Sequence, residues 1–324
     1  MMTLSKLAKL ANVSVSTASK AFSGSSEVNE ETREMIFRIA KENGCFKKFY
    51  NVKYPKLVVA IIAPEFASAH YTRYLSCIQK YLQQNNCELC VSTTDFSKER
   101  EKELLEYYCK HANVDGIIAI NLRADEIENY EVPIALIDPT RQHANAIHVL
   151  SNSQKAMQDS IDYLAEHKVC SVGFIGETLT RRRLAYFKTA LEKTGIPYNE
   201  EFVRVSEGRF EEGGYAAMEA LFAHKKAPRA IVCAYDYMAI GAIRCIYDHG
   251  LTVPNDIAIL GFDDIPHAQY LNPALASIAA PAEILCKLAT DAVMKQIHGK
   301  KVEHIQTLEA ELHLRESFKI SKIQ

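Results

Sequence analysis

The chain has no run of about 18 apolar residues, so no membrane-spanning helix is expected. Its first residues, MMTLSKLAKLANVSVS, hold no apolar core followed by a small-residue cleavage site, and a secretory leader is not expected. Cysteine occurs nine times, an odd number without clustering, which suits reduced thiols in a cytoplasmic protein better than a disulfide framework. One CxxC, Cys87-Glu-Leu-Cys90, is present, but residues three apart on a strand face opposite sides and no second pair completes a zinc site. Gly-rich phosphate loops, HExxH and GxSxG are missing. Neither a metal nor a cofactor is therefore expected, and the fingerprints an enzyme would need are not visible. No low-complexity tract or short-period repeat interrupts the chain.

A net charge of −2 argues by itself against a nucleic-acid partner. Its distribution reverses that. Residues 1–56 carry ten Lys and Arg against five Glu, whereas the remainder carries 28 basic and 35 acidic residues. A basic head on an acidic body suits a segment that meets phosphate joined to one that does not, although an ordinary solvated face fits the same numbers. The length of 324 residues suggests about two domains, and 48% hydrophobic with 24% charged residues is ordinary for a globular chain.

The first 44 residues read as three short helices. Thr3 caps the first, whose Leu4, Leu7, Ala8 and Ala11 share a face. Asn12-Val13 makes the turn, Ser14 caps the second helix, and Ala18, Ala21 and Phe22 form its apolar side. Ser23-Gly24-Ser25-Ser26 ends it. Asn29 caps the third, with Glu30 and Glu31 in the first turn, where the helix dipole favours anions. Met35, Ile36, Ile39 and Ala40 are its stripe, and Gly44 fits its end. Residues 45–56, CFKKFYNVKYPK, are basic and aromatic without a clean period and read as a linker.

From residue 57 the texture changes. The strand patterns LVVAIIAP, CELCVST, DGIIAI, IALID, SVGFIG, AIVCAYD and IAILGFDD alternate with helical patterns over 72–85, 98–112, 153–167, 181–194, 212–224, 236–249 and 283–297. Near-continuous apolar strands between helices predict parallel sheets covered on both faces. So many strands imply two Rossmann-like α/β subdomains.

The second helix, VSTASKAF, is short and polar, and Ser and Thr are mediocre helix formers. A helix-turn-helix explains it. Short side chains let a helix in the major groove bring its backbone close to phosphates and base edges. Ser16, Thr17 and Lys20 point away from the apolar side and are free to touch DNA. Val15, at the leading end, either meets a thymine methyl or packs on the first helix. Period and charge alone also fit a three-helix bundle that binds no DNA.

The stretch TLSKLAKLANVSVSTASKAFSGSSEVNEETREMI closely resembles the DNA-binding head of the LacI/GalR family of bacterial transcription regulators. IAILGFDDIP, SVGFIG, MAIGAIRCIYDHGLTVPNDI and LHLRES stand in the order expected of that family, so the resemblance covers nearly the whole chain. It implies an all-α helix-turn-helix head on an α/β body of periplasmic-binding-protein-like type. It implies a regulator, most often a repressor, that binds a pseudo-palindromic operator in double-stranded DNA as a homodimer. A small-molecule effector, a sugar or sugar derivative, is expected between the subdomains. The expected boundaries are 1–44 for the head, 45–56 for the hinge and 57–324 for the body. Within the body, 57–149 and 283–308 make the N-subdomain, and 153–277 and 312–324 the C-subdomain. Expected DNA contacts extend to Thr3, Ser14, Ser19 and Asn29 in the head and to Lys47 and Lys48 in the hinge. A Rossmann-type enzyme or a plain small-molecule-binding protein is the alternative.

The hinge departs from the family, whose members usually carry Tyr-x-Pro-Asn and then a hinge helix with a leucine wedge. Here Cys45-Phe46-Lys47-Lys48 stands instead, and the linker has no Leu. Phe49, Tyr50 or Val52 could act as the minor-groove wedge, or the linker could meet only phosphate.

Parallel α/β sheets bind ligands beyond the C-terminal ends of their strands. Asp138 and Asp263 stand at such ends, and a carboxylate accepts from neighbouring sugar hydroxyls. Matching to the family adds Arg183, suited to a hydroxyl-rich or anionic ligand, and Phe210 against the sugar. His70 and Tyr71 follow the first strand and Asp95 the second. The family's usual Asn-Asp is Tyr235-Asp236 here, which implies a ligand held differently from the commonest hexose effectors. Local roles compete: Asp138, Asp236 and Asp263 could cap helices, Phe210 could be core, and Arg183 could belong to a solvated cluster.

Overall fold

The computed structural model describes residues 2–49, 56–112, 114–223 and 227–320, with Lys47 described by its backbone alone. The chain divides into two compact units, residues 1–57 and 58–324.

In the first unit, α1 (Leu4–Leu10), α2 (Val15–Phe22) and α3 (Glu30–Glu42) begin where short polar side chains satisfy first-turn amides. Thr3 Oγ1 accepts from Lys6 N at 3.3 Å, Ser14 Oγ from Thr17 N at 2.9 Å and Asn29 Oδ1 from Thr32 N at 2.8 Å. Asn12 takes the left-handed conformation that turns α1 into α2, and Gly44 does the same after α3. Leu7, Ala11, Ala21, Phe22, Val28, Ile36, Ala40 and Cys45 close the core.

The segment after α3 differs from the linker expected of it. Phe46–Phe49 forms one helical turn, α4, which places both phenylalanines on one face. Phe46 lies 5.0 Å from the Phe37 ring and Phe49 lies 5.8 Å from the Phe22 ring. Phe49 is thereby tied into the head core and is not free to act as a wedge. Tyr50 and Val52 lie outside the described residues.

The second unit holds two sheets. The first is ordered β11-β5-β4-β3-β1-β2, from β1 (Leu57–Ala63), β2 (Cys87–Thr93), β3 (Gly116–Ile120), β4 (Ile134–Ile137), β5 (Ile147–Asn152) and β11 (Ile305–Glu309). The second is ordered β12-β10-β9-β8-β6-β7, from β6 (Val172–Glu177), β7 (Val203–Ser206), β8 (Ala230–Cys233), β9 (Ala258–Phe262), β10 (Ala276–Ala279) and β12 (Glu311–His313). Pairing is parallel from β1 through β3, β4 and β5 to β11, and from β7 through β6, β8 and β9 to β10. β12 pairs antiparallel with β10, with Ser277 opposite His313. The helices are α5 (Ala69–Gln84), α6 (Lys98–Lys110), α7 (Gln154–Glu166), α8 (Arg181–Thr194), α9 (Phe210–Phe222), α10 (Asp236–Asp248) and α11 (Ala282–Ile297). Among the described residues, no helix is long and apolar enough to cross a membrane.

The chain passes between the sheets three times, after β5, after β10 and after β11. Two crossings are bonded together: Ala310 N donates to Asn152 O at 2.9 Å. The C-terminal ends of the parallel strands open on the space between the two halves, because that is where the β–α loops run.

Strands β5, β7, β10, β11 and β12 have no counterpart among the apolar runs read from the sequence. Strand β11, IQTLE, alternates exposed and half-buried positions, and β7 and β12 stand at sheet edges. A search for continuous apolar strands passes over them. Cys87 is buried and Cys90 half-buried, and neither is in a disulfide; Cys87 Sγ donates to Met294 Sδ at 3.7 Å.

Candidate functional site

In the head, α2 turns Ala18, Ala21 and Phe22 inward. Its outer side presents Val15, 47% exposed, with Ser16 and Ser19 also exposed. Val15 is not among the residues of the head core. Thr17 is half-buried, its Oγ1 2.7 Å from Ser14 Oγ, so these two hydroxyls serve the cap first. Lys20 forms an ion pair with Glu27. Thr3 and Asn29 are exposed caps. Lys48 is exposed and donates from Nζ to Met2 O at 3.0 Å, and the Lys47 side chain lies outside the described residues.

In the body, a cavity of about 370 Å³ lies between the two sheets' C-terminal ends. Seven of the eight expected effector residues line it: His70, Tyr71, Asp138, Arg183, Phe210, Tyr235 and Asp263. Asp95 does not. It and Phe96 both take left-handed backbone in the turn after β2, and the turn exposes Asp95 and sends Phe96 to the cavity. Asp95 is therefore corrected to Phe96.

Arg183 is the hub. Its guanidinium reaches Asp263 at 2.6 Å, donates to Ala234 O, and lies 4.0 Å above the Phe262 ring. His70 Nδ1 stands 3.4 Å from the same Asp263 oxygen. Burial pushes the Asp263 carboxyl upward, but Arg183 and then His70 outweigh this and hold it below the ordinary range. Burial lowers the His70 pKa against the pull of Asp263, so the ring is neutral near pH 7. Asp138 accepts from Ser151 N at 2.6 Å and Ser151 Oγ at 2.7 Å, and burial raises its pKa.

None of the three aspartates caps a helix. Asp236, fully buried, accepts from Ser277 Oγ at 2.7 Å and Ile265 N at 2.8 Å, and burial raises its pKa to about 8. Asp236 approaches β9 only because residue 261 is glycine: a Cβ there would stand 2.1 Å from Asp236 Oδ1. Tyr235 is buried and its hydroxyl accepts from Phe210 N at 3.0 Å, which sets the start of α9. Phe210 is half-buried and faces Tyr237 at 5.6 Å, so its ring belongs partly to the wall and partly to the core behind it.

Reading the sequence missed further lining residues. Tyr74 lies one turn beyond His70 on α5, and Asn121 donates to the Tyr71 hydroxyl at 2.9 Å. Arg209 sits with its guanidinium 4.7 Å from the Phe96 ring and 4.6 Å from the Phe210 ring, near Glu177 at 3.3 Å. The signal was there for Arg209, a cation beside a singled-out aromatic. Nothing local marked Tyr74. Contacts already cross the cleft: Ala69 N donates to the Tyr237 hydroxyl at 3.1 Å and Arg73 to Asp264 O at 3.3 Å.

The model for bacterial regulatory proteins of the lacI family matches residues 3–44. A model for periplasmic binding protein-like domains matches residues 161–318. The chain is similar to regulators of the LacI family at its start and to periplasmic binding protein-like domains in its second half. A ribose operon repressor of Haemophilus influenzae is 29% identical over 98% of both chains. The repressor PurR of Escherichia fergusonii is 28% identical, covering 94% of this chain and 92% of its own. The solved complex of the regulator CelR with cellobiose is 25% identical, with a TM-score of 0.71 over 98% of this chain and all of that one. The relatives so matched are named as repressors and transcription regulators.

Proposed function

We propose that this chain is a cytoplasmic repressor of LacI type that binds a pseudo-palindromic operator as a homodimer and is released or engaged by a small polyhydroxylated effector. The observation that carries the effector half is the cleft itself. Two aspartates, an arginine bonded to one of them, tyrosine hydroxyls and aromatic rings from both halves of the body converge on one cavity. Carboxylates and guanidinium forks take hydroxyl pairs, and rings cover the apolar face of a sugar. Relatives whose names carry ribose and cellobiose support a sugar, and a planar base would stack against the same rings.

For the DNA half, Val15, Ser16, Ser19 and Lys20 on α2 are the base-facing set, with Lys48 and the hinge on phosphate. Thr3, Ser14 and Asn29 add contacts from the helix starts they cap, and Thr17 adds one from the first turn of α2. Effector binding changes the spacing of the two heads in the dimer, and half-sites must match one helical turn, so a small change lowers operator affinity. The coupling is expected at about 1–3 kcal/mol. Thermal-shift screening of the full chain against sugars, sugar derivatives and nucleobases tests the cleft, because a ligand of the folded state raises its melting temperature. A base that stabilises the protein where no sugar does replaces sugar by purine. No stabilisation by any compound removes the effector reading.

A further inference from the structure

We propose that the effector carries an anionic group, a phosphate or a carboxylate, held by Arg181 and Arg182 at the start of α8, with Arg123 on the other half of the same cavity. The inference rests on the cleft being the effector site and adds the charge of what fills it.

Five arginines line the cavity, namely 123, 181, 182, 183 and 209, against three carboxylates. Arg183 is matched by Asp263, and Arg209 lies beside Glu177. The third carboxylate, Asp138, is turned to the amide and hydroxyl of Ser151. Arg123, Arg181 and Arg182 make no ion pair among the described residues. Arg123 spends one N–H on Phe96 O, at 2.9 Å. The cleft lining therefore carries more fixed positive charge than it neutralises.

The position of the excess is as telling as its size. Helix α8 opens with three consecutive arginines and has no acidic residue in its first turn. The amino end of a helix is the positive end of its dipole, and cations there are locally unfavourable. Sequences break such local rules mainly where a function requires it. Thr180, the residue before α8, does not cap it with its side chain; its hydroxyl is engaged with Glu177, accepting from N at 3.0 Å and donating to O at 2.8 Å. Guanidiniums, each with several N–H donors in a fixed fork, suit an anion's several oxygens.

A separate observation points to a ligand in the same cavity. Tyr74 is only 2% exposed, lines the cavity, and its hydroxyl makes no hydrogen bond among the described residues. That hydroxyl is left to donate to and accept from whatever fills the cavity. Next to it, the Tyr71 hydroxyl accepts from Asn121 and keeps its own proton to donate. Hydroxyl-rich walls at Tyr71, Tyr74, Asp138 and Ser151, and cations at the start of α8, fit one molecule with hydroxyls at one end and an anion at the other. A sugar phosphate or a sugar acid has that form.

Isothermal titration of the full chain with ribose, ribose 5-phosphate and ribonate, and with glucose, glucose 6-phosphate and gluconate, tests this at matched ionic strength. At least one anionic derivative should bind tenfold or more tighter than its neutral parent and weaken as NaCl is added. Preference between phosphate and carboxylate identifies the anion. The Arg181→Ala/Arg182→Ala variant, its folding checked by its melting temperature without ligand, should lose that advantage and keep the neutral sugar's affinity. Neutral parents binding as tightly as their derivatives, or an advantage that survives in the variant, overturns the anionic effector while leaving the cleft reading intact. Absence of binding by both classes overturns the cleft reading and this proposal with it.

Discussion

Replacing Arg183 by Ala removes one half of a mostly buried ion pair. The side chains of Arg183 and Asp263 are 24% and 12% exposed and meet at 2.6 Å. Breaking such a pair from one side leaves an uncompensated charge and destabilises by about 3–5 kcal/mol. The partial exposure of Arg183 and the open cavity beside it place the expected loss near the low end, about 3 kcal/mol. The donation to Ala234 O and the stacking on Phe262 are lost as well. The pH dependence carries a sign. In the parent, Asp263 is held below its ordinary pKa, so the pair contributes stability at pH above the ordinary carboxylate value, and that contribution is lost as pH falls through the folded value. In the variant, burial is opposed only by His70, the Asp263 pKa rises, and protonation relieves the unpaired charge. The stability gap between parent and variant should therefore be widest near pH 7 and narrow below about pH 5. Urea unfolding of both proteins at pH 7.5, 6 and 4.5 measures it. Adding Asp263→Asn to the variant should recover a substantial part of the loss at pH 7.5. A gap under about 1 kcal/mol, or one that does not change with pH, would refute the view of Arg183 and Asp263 as a coupled pair.

Other outcomes follow from single sites. Lys20→Ala should weaken operator binding by about 1–3 kcal/mol if it reads a base, or lower the salt slope if it meets phosphate; gel-shift titrations at several salt concentrations that show neither remove Lys20 from the interface. Gly261→Ala drives a methyl to 2.1 Å from Asp236 Oδ1 and should lower stability by about 1–3 kcal/mol; a parental urea midpoint would contradict the close approach. His148, 2% exposed, accepts from His143 N at 2.9 Å through Nε2, and burial lowers the pKa of both rings. Both fold neutral, so their contribution is present above about pH 6.5 and is lost as pH falls below it; melting curves from pH 8 to 5 should show the decline, and His148→Gln should flatten it. Phe22→Ala, in the ring cluster with Phe37, Phe46 and Phe49, should cost about 3–5 kcal/mol and unfold the head, abolishing DNA binding while effector binding to the body persists.

The head was legible because its signals are local. Thr3, Ser14 and Asn29 cap the helices they precede, and Leu7, Ala18 and Ile36 are buried at helical spacing. Phe46–Phe49 was not, since two apolar residues in a basic stretch show no period, and what makes them a turn is the Phe22–Phe37 surface they cover. In the body, apolar strands such as β1 and β9 declared themselves, whereas amphipathic β11 and the edge strand β7 depend on neighbours brought from far along the chain. The cleft shows the same division. Asp138 and Asp263 could be placed by standing at strand ends. Arg183 became visible only through resemblance to a family, and Tyr74 is defined by what surrounds it, not by any pattern of its own. Asp95 and Phe96 show how a turn of two left-handed residues decides which of two neighbours faces the ligand.

Selection of the full-length chain on random duplex DNA, followed by footprinting of the enriched sequence, tests most directly whether the first fifty residues read DNA grooves. The account predicts an enriched pseudo-palindrome whose half-sites are protected about one helical turn apart, with the enrichment lost when Ser16 and Lys20 are replaced by Ala. Binding with no preferred sequence, or a preference that survives those replacements, would contradict it.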